Sequence, residues 1–414
     1  MSGRRPYYVG PDPVPALGSQ LAVLAASDGG LDAPSGRLSV VPGGARSGRS
    51  ILELAEVGRR LREQASAVVL WTGSAAAGRR LRELGVPGAN SAPELARRLE
   101  NKAHFSAAAE AAGLPVPPSV SGVAGPELAA AAAPLGRAVF QLARGYSGAA
   151  TYPVGEQAEL ERLCQRFRGH PCRVAGWVEG TPVTVTGVAL EERVVMGPPC
   201  LQLTGIPELT PHPLGSCGND FGAPVPSPEA VDQVARRAGE WLQALGHRGI
   251  FGVDLVVDPG GRPWCIEVNP RLVASVPLWS LSSTGRASLL GLHLAAFGLA
   301  EDRGGDLRCH WSQLILYQLG EREPKGPPAS YEGTLAGGEF SPLRRLTLDG
   351  PAAGKVGLVR RQPSGPGREL ARLILEGPLT GPGGQLLPHL REASLRLRRQ
   401  LEPSWGGARS PASP

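Results

Sequence analysis

The chain has 414 residues, 42% apolar and 19% charged, which excludes a disordered protein and exceeds one ordinary core, so two to four domains are expected. Its formal net charge of +6 is carried by arginine, with lysine only at Lys102, Lys325 and Lys355. The arginines are scattered among acids, and the densest set (Arg391, Arg396, Arg398, Arg399) has no interleaved aromatics, which argues for a solvated surface and against nucleic acid.

Residues 1–98 read as a small α/β unit. Short apolar strands at 6–9, 38–41 and 66–71 alternate with helical patterns, and residues 51–62 carry apolar side chains at helical spacing. Residues 99–300 are the largest part. They open on Asn101-Lys102 and a helix, then a turn at Gly113-Leu114-Pro115. Ser227-Pro228-Glu229 is a start signal for a helix running to 245, with Ser at the cap and Pro in the first turn. An Ala- and Leu-rich helix around 287–298 closes this part. Residues 301–400 are poorly patterned and β-rich, with β-like runs at 313–317 and 355–359 and a helix expected at 367–376. Residues 401–414 have the composition of a disordered tail. There is no internal repeat.

Six cysteines form no C-x-x-C pair and have no histidine at zinc-like spacing, so they read as reduced thiols. The N-terminus lacks an apolar signal region and no run is long enough to span a bilayer. The expected location is therefore the cytoplasm, away from membranes.

The most informative segment is 249–271. Two apolar, β-branched runs at 250–257 and 263–268 flank the turn signal Asp258-Pro259-Gly260-Gly261-Arg262, which predicts a hairpin. With Pro259 to Arg262 as the loop, paired positions sum to 521, and Asp254 faces Glu267. Alternation places Asn269 on the same face as Glu267. Facing carboxylates repel, and a hard divalent cation such as Mg²⁺ would relieve them. The alternative is an exposed hairpin whose acids point into water. Arg271 follows at the rim, placed to clamp a carboxylate or phosphate.

Asp254, Glu267 and Asn269, ending in Asn269-Pro270-Arg271, resemble the metal-binding hairpin of the ATP-grasp superfamily, in particular its branch of carboligases related to biotin carboxylase. Other motifs fall in the same order: Asn101-Lys102 with the turn from Gly113 to Pro117; Gln141 before the glycine-rich loop Arg144-Gly145-Tyr146-Ser147-Gly148; and Trp177-Val178-Glu179-Gly180. The resemblance covers about residues 99–300. It implies an α+β fold of two subdomains gripping ATP, preceded by a small α/β domain. It implies that Lys102 contacts the α- and β-phosphates. Gly145, Ser147 and Gly148 would cradle the β- and γ-phosphates, and the backbone of Gly176, Trp177 and Val178 would hold adenine. Asp254, Glu267 and Asn269 would hold Mg²⁺, and Arg271 and Lys102 would act in catalysis. Two departures bear on nucleotide affinity. Gln141 stands where the family usually has a second lysine, able to donate a hydrogen bond but bringing no charge, and Pro182 replaces an acidic residue after the hinge glycine.

The chemistry implied is activation of a small-molecule carboxylate as an acyl-phosphate and its capture by an amine, with a link to pterin- or furan-based one-carbon cofactor synthesis. The competing expectation is an ATP-binding regulatory or structural subunit without turnover. A serine hydrolase is disfavoured because the residue at 149 is Ala, not the Gly of a nucleophile elbow. A dinucleotide-binding enzyme is disfavoured because no G-x-G-x-x-G follows a first strand. The oligomeric state is left open, a homodimer included.

Overall fold

The computed structural model describes residues 4–27, 29–32, 36–41, 47–145, 148–283, 288–302 and 304–402. The expected tail therefore lies almost wholly outside the described residues. The N-terminal unit is a four-stranded parallel sheet, in the order Leu38–Val40, Ala22–Ala25, Arg5–Gly10, Ala65–Leu70. The expected helix at 51–62 is two helices, Gly48–Leu52 and Ala55–Gln64. Ser47 caps the first and Leu54 is extended, yet Ile51, Leu52, Val57 and Leu61 all enter one core, so the apolar spacing hides the break.

A second, antiparallel sheet runs Ser119–Val123, Pro171–Gly176, Ala138–Leu142, Thr151–Val154. Its two faces follow the period-2 rule. Ala138, Phe140, Cys172 and Val174 pack beneath the helices Pro126–Ala132 and Gln157–Arg166. Val139, Gln141, Arg173 and Ala175 face the opposite way, into a cleft.

The third sheet has 11 strands and joins what the sequence separates at residue 300. Strand Thr181–Ala189 pairs with Gly249–Val257 along its full length. On its other side, Cys200–Thr204 and Ser216–Asp220 lead to Trp311–Tyr317 through Gly218↔Leu314 and Asn219↔Gln313. The remaining strands of the C-terminal region continue the same ladder. Residues 367–376 do not form the expected helix: Glu369–Glu376 is a strand between Trp311–Tyr317 and Val356–Arg360. Leu, Ala and Arg favour helices in isolation, but residues 370–375 are buried on both faces of a central strand, and tertiary packing overrides propensity.

The C-terminal arginine cluster is only partly a solvated surface. Arg391, Arg396, Arg398 and Arg399 lie on the helix Pro388–Leu401. Arg398 is fully buried; its Nε donates to the Glu208 carbonyl at 2.9 Å, its Nη2 to the Tyr317 carbonyl at 2.9 Å, and it pairs with Glu402. Helix Pro228–Ala244 starts as expected with Pro at its first turn, but Ser227 has φ 46° and its side chain makes no cap. Among the described residues no helix is long and apolar enough to cross a membrane.

Asp220 staples the C-terminal region to the central sheet. Its Oδ1 accepts from the Gly222 and Ala223 amides at 3.0 and 3.1 Å. Its Oδ2 accepts from the Leu379 amide, the Thr380 amide and the Thr380 hydroxyl at 2.9, 2.8 and 2.7 Å. Asp220→Ala strands five donors at a fully buried site, and we expect it to destabilise the protein by about 3 kcal/mol or more. Urea denaturation measures this; a loss under about 0.5 kcal/mol would show that the staple is dispensable.

Candidate functional site

One cleft of about 660 Å³ gathers residues from all three parts of the chain. The hairpin Gly249–Val257 and Pro263–Asn269 forms one wall, with the expected partners Asp254↔Glu267 and Gly252↔Asn269. The route to that register differs from the simple loop count. Beyond Asp254 the pairs become Leu255↔Cys265 and Val257↔Pro263, so paired numbers sum to 520 near the turn and 521 at the site. The Asp258 amide donates to the Arg262 carbonyl at 3.0 Å, so the turn is one residue shorter than expected, and a bulge at Ile266 restores the offset. The bulge also puts Ile266 and Glu267 side by side on the cleft face.

The two carboxylates are held as a pair. Asp254 Oδ1 accepts from the Thr184 hydroxyl at 2.7 Å and the Gln202 amide at 3.2 Å. Asn269 Nδ2 bridges the pair, donating to Asp254 Oδ2 and Glu267 Oε1, each at 3.2 Å. Lys102 Nζ sits 2.5 Å from Glu267 Oε2. Asn101 presents that lysine by capping the helix Lys102–Ala111, its side chain accepting from the Ala103 amide. Arg271 donates its Nε to Glu100 at 2.6 Å and its Nη2 to Asn269 Oδ1 at 3.0 Å, so it steers the bridging amide while lining the cleft.

This geometry splits the two acids. Enclosure pushes the Asp254 carboxyl well above the usual range, and the Glu267 charge pushes it further. Enclosure also acts to raise Glu267, but the Lys102 ammonium and the hydrogen bonds from Lys102 and Asn269 outweigh it and bring Glu267 down. Among the described residues, no group of three or more His, Cys, Asp or Glu side chains is gathered to hold a metal. Two facing carboxylates instead suit a hard cation that completes its shell with water and phosphate oxygens, while Asn269 Oδ1 is turned to Arg271 and would have to swing round to join it.

The opposite wall is the cleft face of the small antiparallel sheet. Gln141 is 5% exposed and faces Arg173, 2% exposed, across the ladder. Arg173 Nε donates to Gln141 Oε1 at 3.0 Å, Nη1 to the Ser106 hydroxyl at 2.8 Å, and both Nη atoms to the Ile266 carbonyl at 3.3–3.4 Å. Burial draws its pKa down to about 10, against the pull of Glu267. The sequence reading missed Arg173. Its signal was an arginine alternating with Cys172 and Val174 in a short strand, the same period that marks Thr184 and Thr186 among valines in Thr181–Ala189.

Gly145 and Gly148 line the cleft between the walls, while Ser147 lies outside the described residues. Gly148 has φ +80° and touches the loop 205–215 by backbone: a Cβ there would lie 2.5 Å from the Gly215 Cα. At the cleft mouth, the Gly176 amide donates to the Pro118 carbonyl at 2.8 Å and the Trp177 amide to the Arg137 carbonyl at 2.9 Å. The Val178 amide is thus the one of these three without a protein acceptor among the described residues. The Trp177 ring lies under the Arg137 guanidinium at 4.0 Å. Trp71 and Thr72 of the N-terminal unit and Ile315 and Tyr317 of the C-terminal region complete the lining.

A family model described as an ATP-grasp domain matches residues 99–275. An L-propargylglycine–L-glutamate ligase from Streptantibioticus cattleyicolor is 36% identical over 102 residues, covering 24% of this chain and 20% of that protein. The chain thus spans about a fifth of the length of that curated relative. Among solved structures, biotin carboxylase from Campylobacter jejuni superposes with TM-score 0.66 at 16% identity, over 91% of this chain and 87% of that one. N5-carboxyaminoimidazole synthase from Aspergillus clavatus, in complex with ADP and 5-aminoimidazole ribonucleotide, gives TM-score 0.61 at 15% identity, over 96% and 98%. The expected fold is therefore correct: an ATP-grasp fold of mixed α+β content with carboxylase-related neighbours.

The strained carboxylate pair has a measurable signature. A carboxyl whose folded pKa is raised contributes stability below its unfolded pKa and loses it as pH rises through the folded value. In chelator-treated protein we therefore expect Asp254→Asn to raise the melting temperature at pH 8, where it removes an opposed charge, and to give no gain at pH 5, where Asp254 is already neutral. Equal effects at both pH values would disprove the electrostatic account.

Proposed function

Because residues 99–275 are an ATP-grasp domain, we propose that the chain is an ATP-dependent ligase that activates a small carboxylic acid and joins it to an amine. One observation carries this: Asp254 and Glu267 face each other in register, bridged by Asn269, with Lys102 paired to Glu267 and the glycine-rich loop lining the same cleft. The relative named as a ligase of two amino acids supports the reaction class. Gln141 and Pro182, the two departures from the family pattern, favour the alternative of a non-catalytic ATP-binding regulatory or structural subunit. The tie to pterin- or furan-based one-carbon cofactor synthesis rests on the sequence resemblance.

Asp254, Glu267 and Asn269 would hold Mg²⁺, with Lys102 beside them. Bound there, Mg²⁺ would neutralise charge on the ATP phosphates as a carboxylate attacks the γ-phosphorus. The chain's own contribution is position and field, since the transfer itself needs little covalent help from protein. Lys102 is already held at Glu267, so it needs only to shift its three N–H donors towards an incoming phosphate. The Val178 amide is the hinge donor open to a purine edge. Arg271, fixed by Glu100, keeps the Asn269 carbonyl oriented and offers its remaining N–H groups to the acid substrate or its acyl-phosphate. The contact between Gly148 and the loop 205–215 shields the reacting phosphate from water.

Hydroxylamine tests the class directly. Protein incubated with Mg·ATP, hydroxylamine and pooled carboxylates should give a hydroxamate together with ADP, and mass spectrometry names the acid. Nucleotide binding without any hydroxamate across a broad pool would favour the non-catalytic subunit. Glu267→Gln should lower acid-dependent ADP release about a hundredfold or more; full activity in that variant would remove the metal assignment.

A further inference from the structure

We propose that Arg173 is a positioning residue for the nucleotide phosphates: it fixes the Gln141 amide with its NH₂ group towards the glycine-rich loop, and it supplies from behind the positive charge that Gln141 lacks. This rests on the cleft being an ATP site.

The first observation is the charge balance of the cleft. Lys102 is paired with Glu267 and Arg271 with Glu100. Arg173 has no carboxylate within ion-pair distance among the described residues; its bonds go to the Gln141 amide oxygen, the Ser106 hydroxyl and the Ile266 carbonyl. A guanidinium stays charged at any ordinary pH, and burying one against neutral acceptors alone is costly. An anion arriving in the cleft would recover that cost. Phosphate oxygens are the anions this wall would meet.

The second observation fixes direction. Arg173 donates both Nε and Nη2 to Gln141 Oε1. A flipped amide would set its own N–H groups against the guanidinium, so only one orientation is tolerable. The Gln141 Nε2 then faces Thr151, at the foot of the glycine-rich loop, through a long 3.4 Å contact. A donor held by so weak a bond is free to turn to a phosphate oxygen, and the cation bonded to the other end of the amide strengthens it. Gln141 makes the contact and Arg173 makes it effective.

Calorimetric titration with Mg·ADP and with adenosine separates phosphate from base recognition without any turnover. Wild-type protein should bind both. Arg173→Met should weaken ADP about tenfold or more while leaving adenosine within about twofold, and adding Gln141→Lys to that variant should restore ADP. Arg173→Lys, which keeps the charge but loses the two-pronged hold, should lose ADP affinity several-fold with adenosine unchanged, and it gives the answer should Arg173→Met not fold. Unchanged ADP binding, equal losses for ADP and adenosine, or no restoration by Gln141→Lys would overturn the role of Arg173 alone. Wild-type protein that binds neither ligand would overturn the ATP-site reading beneath it, and this inference with it.

Discussion

Two carboxylates held against each other, bridged by one amide and with one ammonium on the far side of Glu267, set the terms for the rest of the cleft. Asp254 and Glu267 repel across the hairpin, and the enclosing fold makes that repulsion stronger than it would be in water. Every neighbour answers it. Lys102 takes Glu267, Thr184 and Gln202 take one oxygen of Asp254, and Asn269 spans both acids while Arg271 holds Asn269 in place. Stability is traded here for two opposed charges held in place, the kind of compromise found at functional centres.

Charge on the other wall is arranged by a different rule. The ladder puts Gln141 and Arg173 side by side on one face because both strands alternate strictly, and the helices beneath leave that face no apolar partner. One wall is therefore rich in acids and the other in donors. On the proposed function, the phosphate oxygens of a nucleotide would lie towards Arg173 and its counter-ion towards Asp254.

The hairpin was legible in the sequence because turn chemistry and β-branched alternation agree there, and because side chains two apart share a face. Its register came out right although the bulge at Ile266 is invisible in the residue pattern; a shorter turn and the bulge cancel at Asp254. Leu370 to Ile374 read as a helix because nothing local reports that both faces of that segment are covered. Arg398 and Arg173 were unreadable for a related reason: an arginine is solvated or buried according to the carbonyls that fold around it, and those of Glu208, Tyr317 and Ile266 are far away in the chain. Ser227 had the composition of a cap and a backbone angle that denies it one. Local chemistry was visible, and whatever depends on distant partners was not.

The continuous 11-stranded sheet decides how the cleft can breathe. The metal-side hairpin, the strands bearing Gln202 and Asn219, and the C-terminal strands bearing Ile315 and Tyr317 belong to one hydrogen-bonded ladder. They cannot swing apart without breaking backbone pairs. The small antiparallel sheet shares no ladder with them and meets them through side chains and loops, Arg173 reaching across to Ile266 and Gly148 resting on the loop 205–215. Opening is thus the travel of a light jaw against a fixed anvil. A molecule held by the anvil alone would meet the same surface whether the jaw were raised or lowered.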